Sequence, residues 1–211
     1  MPVIAVDGPA ASGKGTIARA LGRHFRLPHL DTGALYRAVA LAALKSGTQL
    51  ADGPATGLLA DALDLSLLED PALRDAWTAE AASRISAHPE VRAALLAFQR
   101  SFAAQPGGAV LDGRDIGSVI APDADVKLFV TAKPEVRARR RFLELQAAGR
   151  EAREAAILED ILARDARDTT RADAPLVRPA DSDLLDTSDF SIAAAVQQAI
   201  DMVSARLGRT S

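Results

Sequence analysis

The chain has 211 residues, 48% of them apolar and 25% charged, enough for one well-buried α/β domain with an appended lobe. Its net charge of −3 gives no general attraction to nucleic acid or an acidic membrane, and the absence of cysteine rules out disulfides and thiolate zinc sites. No signal-peptide layout opens the chain and no apolar run approaches ~18–20 residues, so a soluble cytoplasmic protein is expected.

In chain order, "PVIAV" is a short apolar run before a glycine, which suits a buried parallel strand. A helix starting in the following glycine loop puts Ile17, Leu21 and Phe25 on one side. A brief strand is expected at His29–Leu30, a turn at Asp31–Gly33, then a helix ending near Gly47. Residues 48–88 read as irregular, broken by Pro54, Gly57 and Pro71, with Trp77 expected to pack in a core or an interface. From Glu90 a helix has Val91, Leu95, Phe98 and Phe102 in phase. "GGAVLDGRD" gives a turn, a strand and a polar loop, and "DVKLFVTA" another strand. Pro134 opens a helix, a second runs through "ILEDILARDARDTTR", and "DLLDTS" supplies a last strand. The final helix has Ile192, Val196, Ala199, Ile200, Val203 and Leu207 in phase. Strands alternating with helices argue for a doubly wound parallel sheet with helices on both faces, and residues 31–105 look inserted between two of its strands.

The segment Gly8, Pro9, Ala10, Ala11, Ser12, Gly13, Lys14, Gly15, Thr16 has phosphate-loop spacing, two glycines five apart followed by lysine. Small residues let backbone N–H groups converge on an anion, and the next helix adds its positive end. Lys14 would reach the β- and γ-phosphates of a nucleoside triphosphate. Gly15 stands where Ser or Thr is usual, so the hydroxyl expected to face a magnesium ion comes one later, at Thr16.

Such a loop serves a switch, a motor or a small-acceptor kinase. A kinase must also hold a second anionic substrate and exclude water, which calls for arginines from separate segments converging on one cleft. Arg37 follows "DTGALY", Arg92 opens a helix, and Arg114 sits just past a strand end, where open α/β sheets bind ligands. Arg164, Arg167, Asp168 and Arg171 lie at i, i+3, i+4 and i+7, one helical stripe. Asp112, after an apolar strand, suits an outer-sphere magnesium role. Taken singly, each has a plainer explanation: a surface arginine, a turn-forming aspartate, or a solvated helix face for "RARRR" (Arg137–Arg141). Their occurrence together with the loop favours the kinase.

The segments "GPAASGKGT", "LDTGALYR", "HPEVR", "LDGRDIG", "RRR" and "RDARDTTR", in this order, resemble bacterial cytidylate kinases from Val3 to Leu207. The resemblance implies transfer of the ATP γ-phosphate to CMP or dCMP with Mg2+. It implies a phosphate-loop core (residues 1–30 and 106–211), a monophosphate-binding insertion (31–105) and a short lid (about 139–171). By matching position, Gly8 to Thr16 would bind ATP, with Lys14 the central catalytic cation. Thr32, Arg37, Ser83, Arg92, Arg114, Asp115, Asp168 and Arg171 would line the CMP site. Lys14, Arg139, Arg141, Arg164 and Arg167 would neutralise the transferred phosphoryl group. Asp115 can accept from the cytosine amine while Arg114 or Ser83 donates to the N3/O2 edge, an arrangement uracil mismatches. Arg37 and Arg92 would pair with the monophosphate, and Asp168 with the ribose hydroxyls. The small antiparallel sheet common in such insertions is not expected, since "LDLSLLEDPALRDAWTAEAAS" is too short and lacks a hairpin turn. A kinase for AMP, UMP or another small acceptor, or a non-catalytic nucleotide-binding module, stays open from the residues alone. No extra apolar face is evident, so a monomer without nucleic-acid or membrane partners is expected.

Overall fold

The computed structural model describes residues 1–208; residues 209–211, the end of the expected core segment, lie outside them. Five strands form one sheet: β1 (Val3–Asp7), β2 (His29–Asp31), β3 (Ala109–Gly113), β4 (Val126–Thr131) and β5 (Asp183–Asp186). Their order is β2-β3-β1-β4-β5 and every pairing is parallel. Strands lie on both sides of the central β1: the chain first reaches the β2 edge and fills in β3 beside β1, then runs out through β4 to β5, the doubly wound arrangement the alternating pattern predicts.

Strand alternation divides the core. Ile4 and Val6 of β1 and Val110 of β3 face one layer, with Ile17, Leu21 and Phe25 of α1 (Lys14–Phe25) and Ala199 and Val203 of α8 (Ile192–Arg206). Ala5, Ala109 and Leu111 face the other, with Ala103 at the end of α5 (Pro89–Ala103) and with Ile116 and Ile120. Leu128 of β4 is fully buried in the first layer. Leu128→Ala is expected to cost about 2–5 kcal/mol, read as a fall in the urea midpoint at unchanged slope.

Between β2 and β3 a second apolar cluster forms around Leu35, Val39, Ala82, Ile85, Val91 and Leu95. These come from α2 (Thr32–Ser46), α4 (Ala76–Ile85) and α5, while α3 (Gly53–Asp61) adds Ala60. Residues 48–88 are more regular than their prolines suggest. Asp52, Asp64 and Asp70 each accept a hydrogen bond from a backbone N–H two or three residues on, capping α3 and two short 3₁₀ turns. No strand occurs in the insertion among the described residues. The expected turn at Asp31–Gly33 is absent too: β2 passes directly into α2, because Asp31 caps the helix by accepting from Ala34 N at 3.0 Å.

Three of the apolar side chains singled out in the sequence face solvent. Trp77, in the first turn of α4, is 71% exposed rather than packed, and Phe98 and Ile192 are also exposed. In α4 the buried stripe is made instead by Thr78, Ala81, Ala82, Ser83 and Ile85. The remaining helices, α6 (Pro134–Ala147) and α7 (Glu154–Thr170), pair with each other beyond β4.

Candidate active site

The carboxyl ends of β1, β2 and β3 meet at one edge of the sheet, and the glycine loop leaves β1 there. Gly8 has φ +152°, and a Cβ on it would stand 1.9 Å from Val130 O, so only glycine fits. Ala11 and Gly13 are also left-handed, at φ 58° and 88°, which turns the loop back into α1. Lys14 begins α1 and its Nζ reaches across the loop to Pro9 O at 3.3 Å. Burial first, then the nearby Arg114 cation, push the Lys14 ammonium down to about 7. Such a lysine favours an anion that restores its charge.

The segment after β3 forms the facing wall. Gly113 admits no side chain, since a Cβ would lie 2.6 Å from Thr32 Oγ1. Thr32 donates that hydroxyl to Asp112 O at 2.8 Å. Asp7, at the end of β1, accepts from Ile116 N and Gly117 N, each at 2.8 Å, and so clamps a π turn directly behind Arg114 and Asp115. Its carboxyl is raised to about 6, chiefly by burial.

Around this wall cations and carboxylates alternate. Arg92 is only 8% exposed and bonds Asp115 through Nη2. Arg171 approaches the other Asp115 oxygen at 3.7 Å. Arg114 Nε donates to Asp168 at 2.6 Å, and Arg37 Nη2 to Asp31 at 2.8 Å. Arg167 reaches Ser83 Oγ at 3.2 Å and Glu80 at 2.8 Å. Burial acts to raise the Asp31 and Asp168 carboxyls, but Arg37 and Arg114 outweigh it and hold both below the usual range. Cations still crowd each other: burial and then Arg114 lower Arg164 to about 10, and burial and then Arg92 lower Arg171. Arg164 Nε and Arg171 Nη2 are buried without a hydrogen-bond partner among the described residues. A cleft with buried guanidinium donors left over is suited to polyanions.

Lys14, Thr32, Arg37, Ser83, Arg92, Arg114, Asp115, Arg164, Arg167, Asp168 and Arg171 are thus brought together. Arg139 and Arg141 are not. Arg139 pairs with Glu154 at 2.8 Å and Arg141 with Glu144 at 3.1 Å, both on the solvent side of α6. The arginine of that run that turns inward is Arg137, which donates to Ala132 O and to Ala10 O of the phosphate loop, each at 2.9 Å, and to Asp165 at 2.5 Å. Arg140 bonds Thr187 Oγ1 at 3.0 Å, and Thr187 in turn donates to Ser12 O at 3.2 Å. Neither stands out in the sequence, because "RARRR" carries no mark of which face meets the loop. Asp7, Asp31 and Tyr36 were likewise reachable only as neighbours of recognised motifs.

Asp112 is buried and bonds His29 Nε2 through Oδ1 at 2.7 Å. Its other oxygen lies 3.5 Å from where a Cβ on Gly15 would stand. The missing side chain therefore leaves a cradle between the first turn of α1 and the Asp112 carboxylate, beside the exposed Thr16. Hard oxygen donors at the rim of a phosphate loop fit Mg2+, which takes few protein ligands when phosphates supply the others.

Two solved structures share the fold at low identity: an uncharacterized protein from Eubacterium ventriosum (TM-score 0.57, 13% identity, 97% of this chain and 99% of that one) and a gluconokinase from Sinorhizobium meliloti (TM-score 0.56, 16% identity, 98% and 93%). Curated proteins are far nearer in sequence. Cytidylate kinases of Rhodopseudomonas palustris (strain TIE-1) and Bradyrhizobium sp. (strain ORS 278) are each 57% identical over 208 residues, 98% of this chain and of each relative. That of Cereibacter sphaeroides is 56% identical over 203 residues, 96% and 95%. The family model described as cytidylate kinase matches residues 4–205, a span that takes in the glycine loop, the Arg114–Asp115 wall and the arginine stripe of α7. With the motifs, their convergence and full-length likeness in agreement, the chain belongs to the cytidylate kinase family.

Proposed function

We propose that the protein transfers the γ-phosphoryl group of ATP to CMP and dCMP, giving ADP and the cytidine diphosphate. The observation that carries this beyond a nucleotide-binding module is the convergence of Lys14 with arginines from α2, α5, the β3 loop and α7 around Asp115 and Asp168. A module that only held ATP would have no use for a second cationic wall.

In this reading the glycine loop from Gly8 to Thr16 cradles the ATP phosphates and Lys14 follows the γ-phosphoryl group. Mg2+, held by Thr16 and, through water, by Asp112, would draw charge from the β- and γ-phosphates when bound. Arg37 and Arg92 grip the CMP phosphate, Asp115 accepts from the cytosine amine, Arg114 or Ser83 donates to the N3/O2 edge, and Asp168 takes ribose hydroxyls. Thr32 keeps the β3 end and α2 in register. As the P–O bond to ADP breaks, an oxygen of the CMP phosphate takes the phosphoryl group. That oxygen is already an anion, so no general base is needed; positioning and charge neutralisation do the work. Arg164 and Arg167 are close enough to the cationic wall to share that neutralisation, while Arg139 and Arg141 would have to swing in as α6 and α7 close.

Residues 1–30 and 106–211 act as the core, 31–105 as the acceptor-binding insertion and about 139–171 as the lid. The separate apolar cluster of the insertion supports that division. A cytoplasmic monomer without nucleic-acid or membrane partners completes the reading. Its support is the net charge of −3, together with the finding that no described helix is long and apolar enough to cross a membrane. The test is ADP release from Mg·ATP with CMP, dCMP, UMP, AMP and GMP offered separately. Turnover on CMP and dCMP is expected. Turnover mainly on AMP or UMP would sink the roles given to Arg114 and Asp115, and no turnover with ATP still bound would return the chain to a binding module.

A further inference from the structure

The two carboxylate oxygens of Asp112 differ in standing. Oδ1 is bonded by His29 Nε2 at 2.7 Å. Oδ2 faces the first turn of α1, 3.5 Å from where a Cβ on Gly15 would stand, and accepts no hydrogen bond among the described residues. A carboxylate can only accept, so the imidazole donates its Nε2–H to it. No motif singles out His29, and no role in the reaction has yet fallen to it.

The sheet and α1 together build the pair. β2 and β3 run parallel with His29 beside Val110 and Asp31 beside Asp112. Alternation puts His29, Val110 and Asp112 on one face, the face that α1 covers. There α1 presents two glycines two turns apart. A Cβ on Gly22 would come 3.3 Å from His29 Cβ, as one on Gly15 would meet Asp112 Oδ2. The helix thus lies close over both residues, and the side chains of His29 and Asp112 are only 18% and 5% exposed. Thr32 fixes the Asp112 backbone carbonyl at 2.8 Å but leaves its carboxylate to turn. The competing partner is Lys14, near enough for Asp112 to favour its charged form. With Oδ1 held on His29, the carboxylate does not turn wholly to Lys14, and the ammonium stays available to phosphates.

We propose that His29 is the positioning residue of the metal site: by donating to Oδ1 it fixes the Asp112 carboxylate so that Oδ2 is presented to the water shell of Mg2+ beside Thr16. It acts on the metal only through Asp112. The inference rests on the assignment of Thr16 and Asp112 to Mg2+. A buried carboxylate with one oxygen on a neighbouring donor keeps its orientation and part of its hydrogen bonding without giving up the other oxygen. An arginine in that place would add a full positive charge next to a cation site, whereas an imidazole can donate while neutral.

The probe is Mn2+, which takes the same oxygen donors as Mg2+ and whose free ion is counted by paramagnetic resonance. Its affinity is measured for the full chain in complex with a non-hydrolysable ATP analogue, beside the affinity of that analogue in EDTA. His29→Phe and His29→Ala are expected to weaken Mn2+ binding about tenfold, the low end for loss of an outer-shell partner, with metal-free nucleotide binding unmoved. His29→Gln, whose amide can donate from nearly the same place, should stay close to wild type. Asp112→Ala should weaken Mn2+ by a similar factor, and His29→Phe should add nothing to it. Unchanged Mn2+ affinity in the phenylalanine and alanine variants overturns the proposal. So does an equal loss of metal-free binding, a glutamine variant as weak as the phenylalanine one, or losses that simply add. An Asp112→Ala protein with full Mn2+ affinity would instead sink the metal role of Asp112 itself, and this inference with it.

Discussion

A Lys14→Met enzyme is expected to turn over about 10²- to 10³-fold more slowly than the parent while remaining folded, the loss typical of removing one preorganised charge from a transition state. Lys14 is the first residue of α1 and the lysine whose Nζ reaches back across the loop that receives the triphosphate, to Pro9 O. In the protein alone its ammonium is lowered from 10.5 to about 7 by burial and then by Arg114. A bound polyphosphate opposes both effects and raises it again. ATP binding therefore takes up a proton between about 7 and the bound-state value, and affinity falls as pH rises through that window. Calorimetry at pH 8 in two buffers of different ionisation enthalpy measures the uptake directly; none in the parent would contradict the assignment.

The sign for stability follows from the same shift. Between about pH 7 and 10.5 the unfolded chain holds the Lys14 proton more firmly than the folded one, so this group's contribution makes stability rise with pH across that range. Below it the folded state carries an unfavourably buried cation, which methionine removes. Lys14→Met should thus melt no lower than wild type at pH 6.5. Lost activity with a lowered Tm would point to damage rather than chemistry.

Asp115→Asn is expected to cut the preference for CMP over UMP about 10- to 100-fold, equivalent to roughly 1–3 kcal/mol. The carboxylate can only accept, and so selects the cytosine amine against the uracil carbonyl; an amide offers both a donor and an acceptor and loses that choice. Asp115 also neutralises two buried arginines, Arg92 and Arg171. Removing a partner from a buried pair can cost about 3–5 kcal/mol, so the ratio of kcat/KM for the two acceptors is the quantity to read, with Tm beside it. An equal fall on both would mean that Asp115 organises the arginines and does not read the base.

The parts of this protein legible from sequence are those whose demands are local. Gly8 and Gly13 adopt conformations that favour glycine, the apolar β1 leads into them, and α1 keeps its apolar phase, so a phosphate loop between strand and helix could be read directly. The Arg164–Arg171 stripe followed from helical spacing in the same way, and the alternation of strands and helices carried the sheet class. The aspartate caps at Asp52, Asp64 and Asp70 were as local, yet the prolines around them obscured the short elements they start.

What the tertiary structure alone decided is the pairing of charges across sequence distance. Arg92 meets Asp115 and Asp173, 23 and 81 residues away, and Arg114 meets Asp168 at 54. The inward turn of Arg137, rather than Arg139 or Arg141, depends on how α6 rotates against the loop and α7. The physical reason is range. Backbone conformation and helix phase are set within a few residues, whereas the sign and position of a charge constrain its partners only through space, once packing has chosen which faces meet.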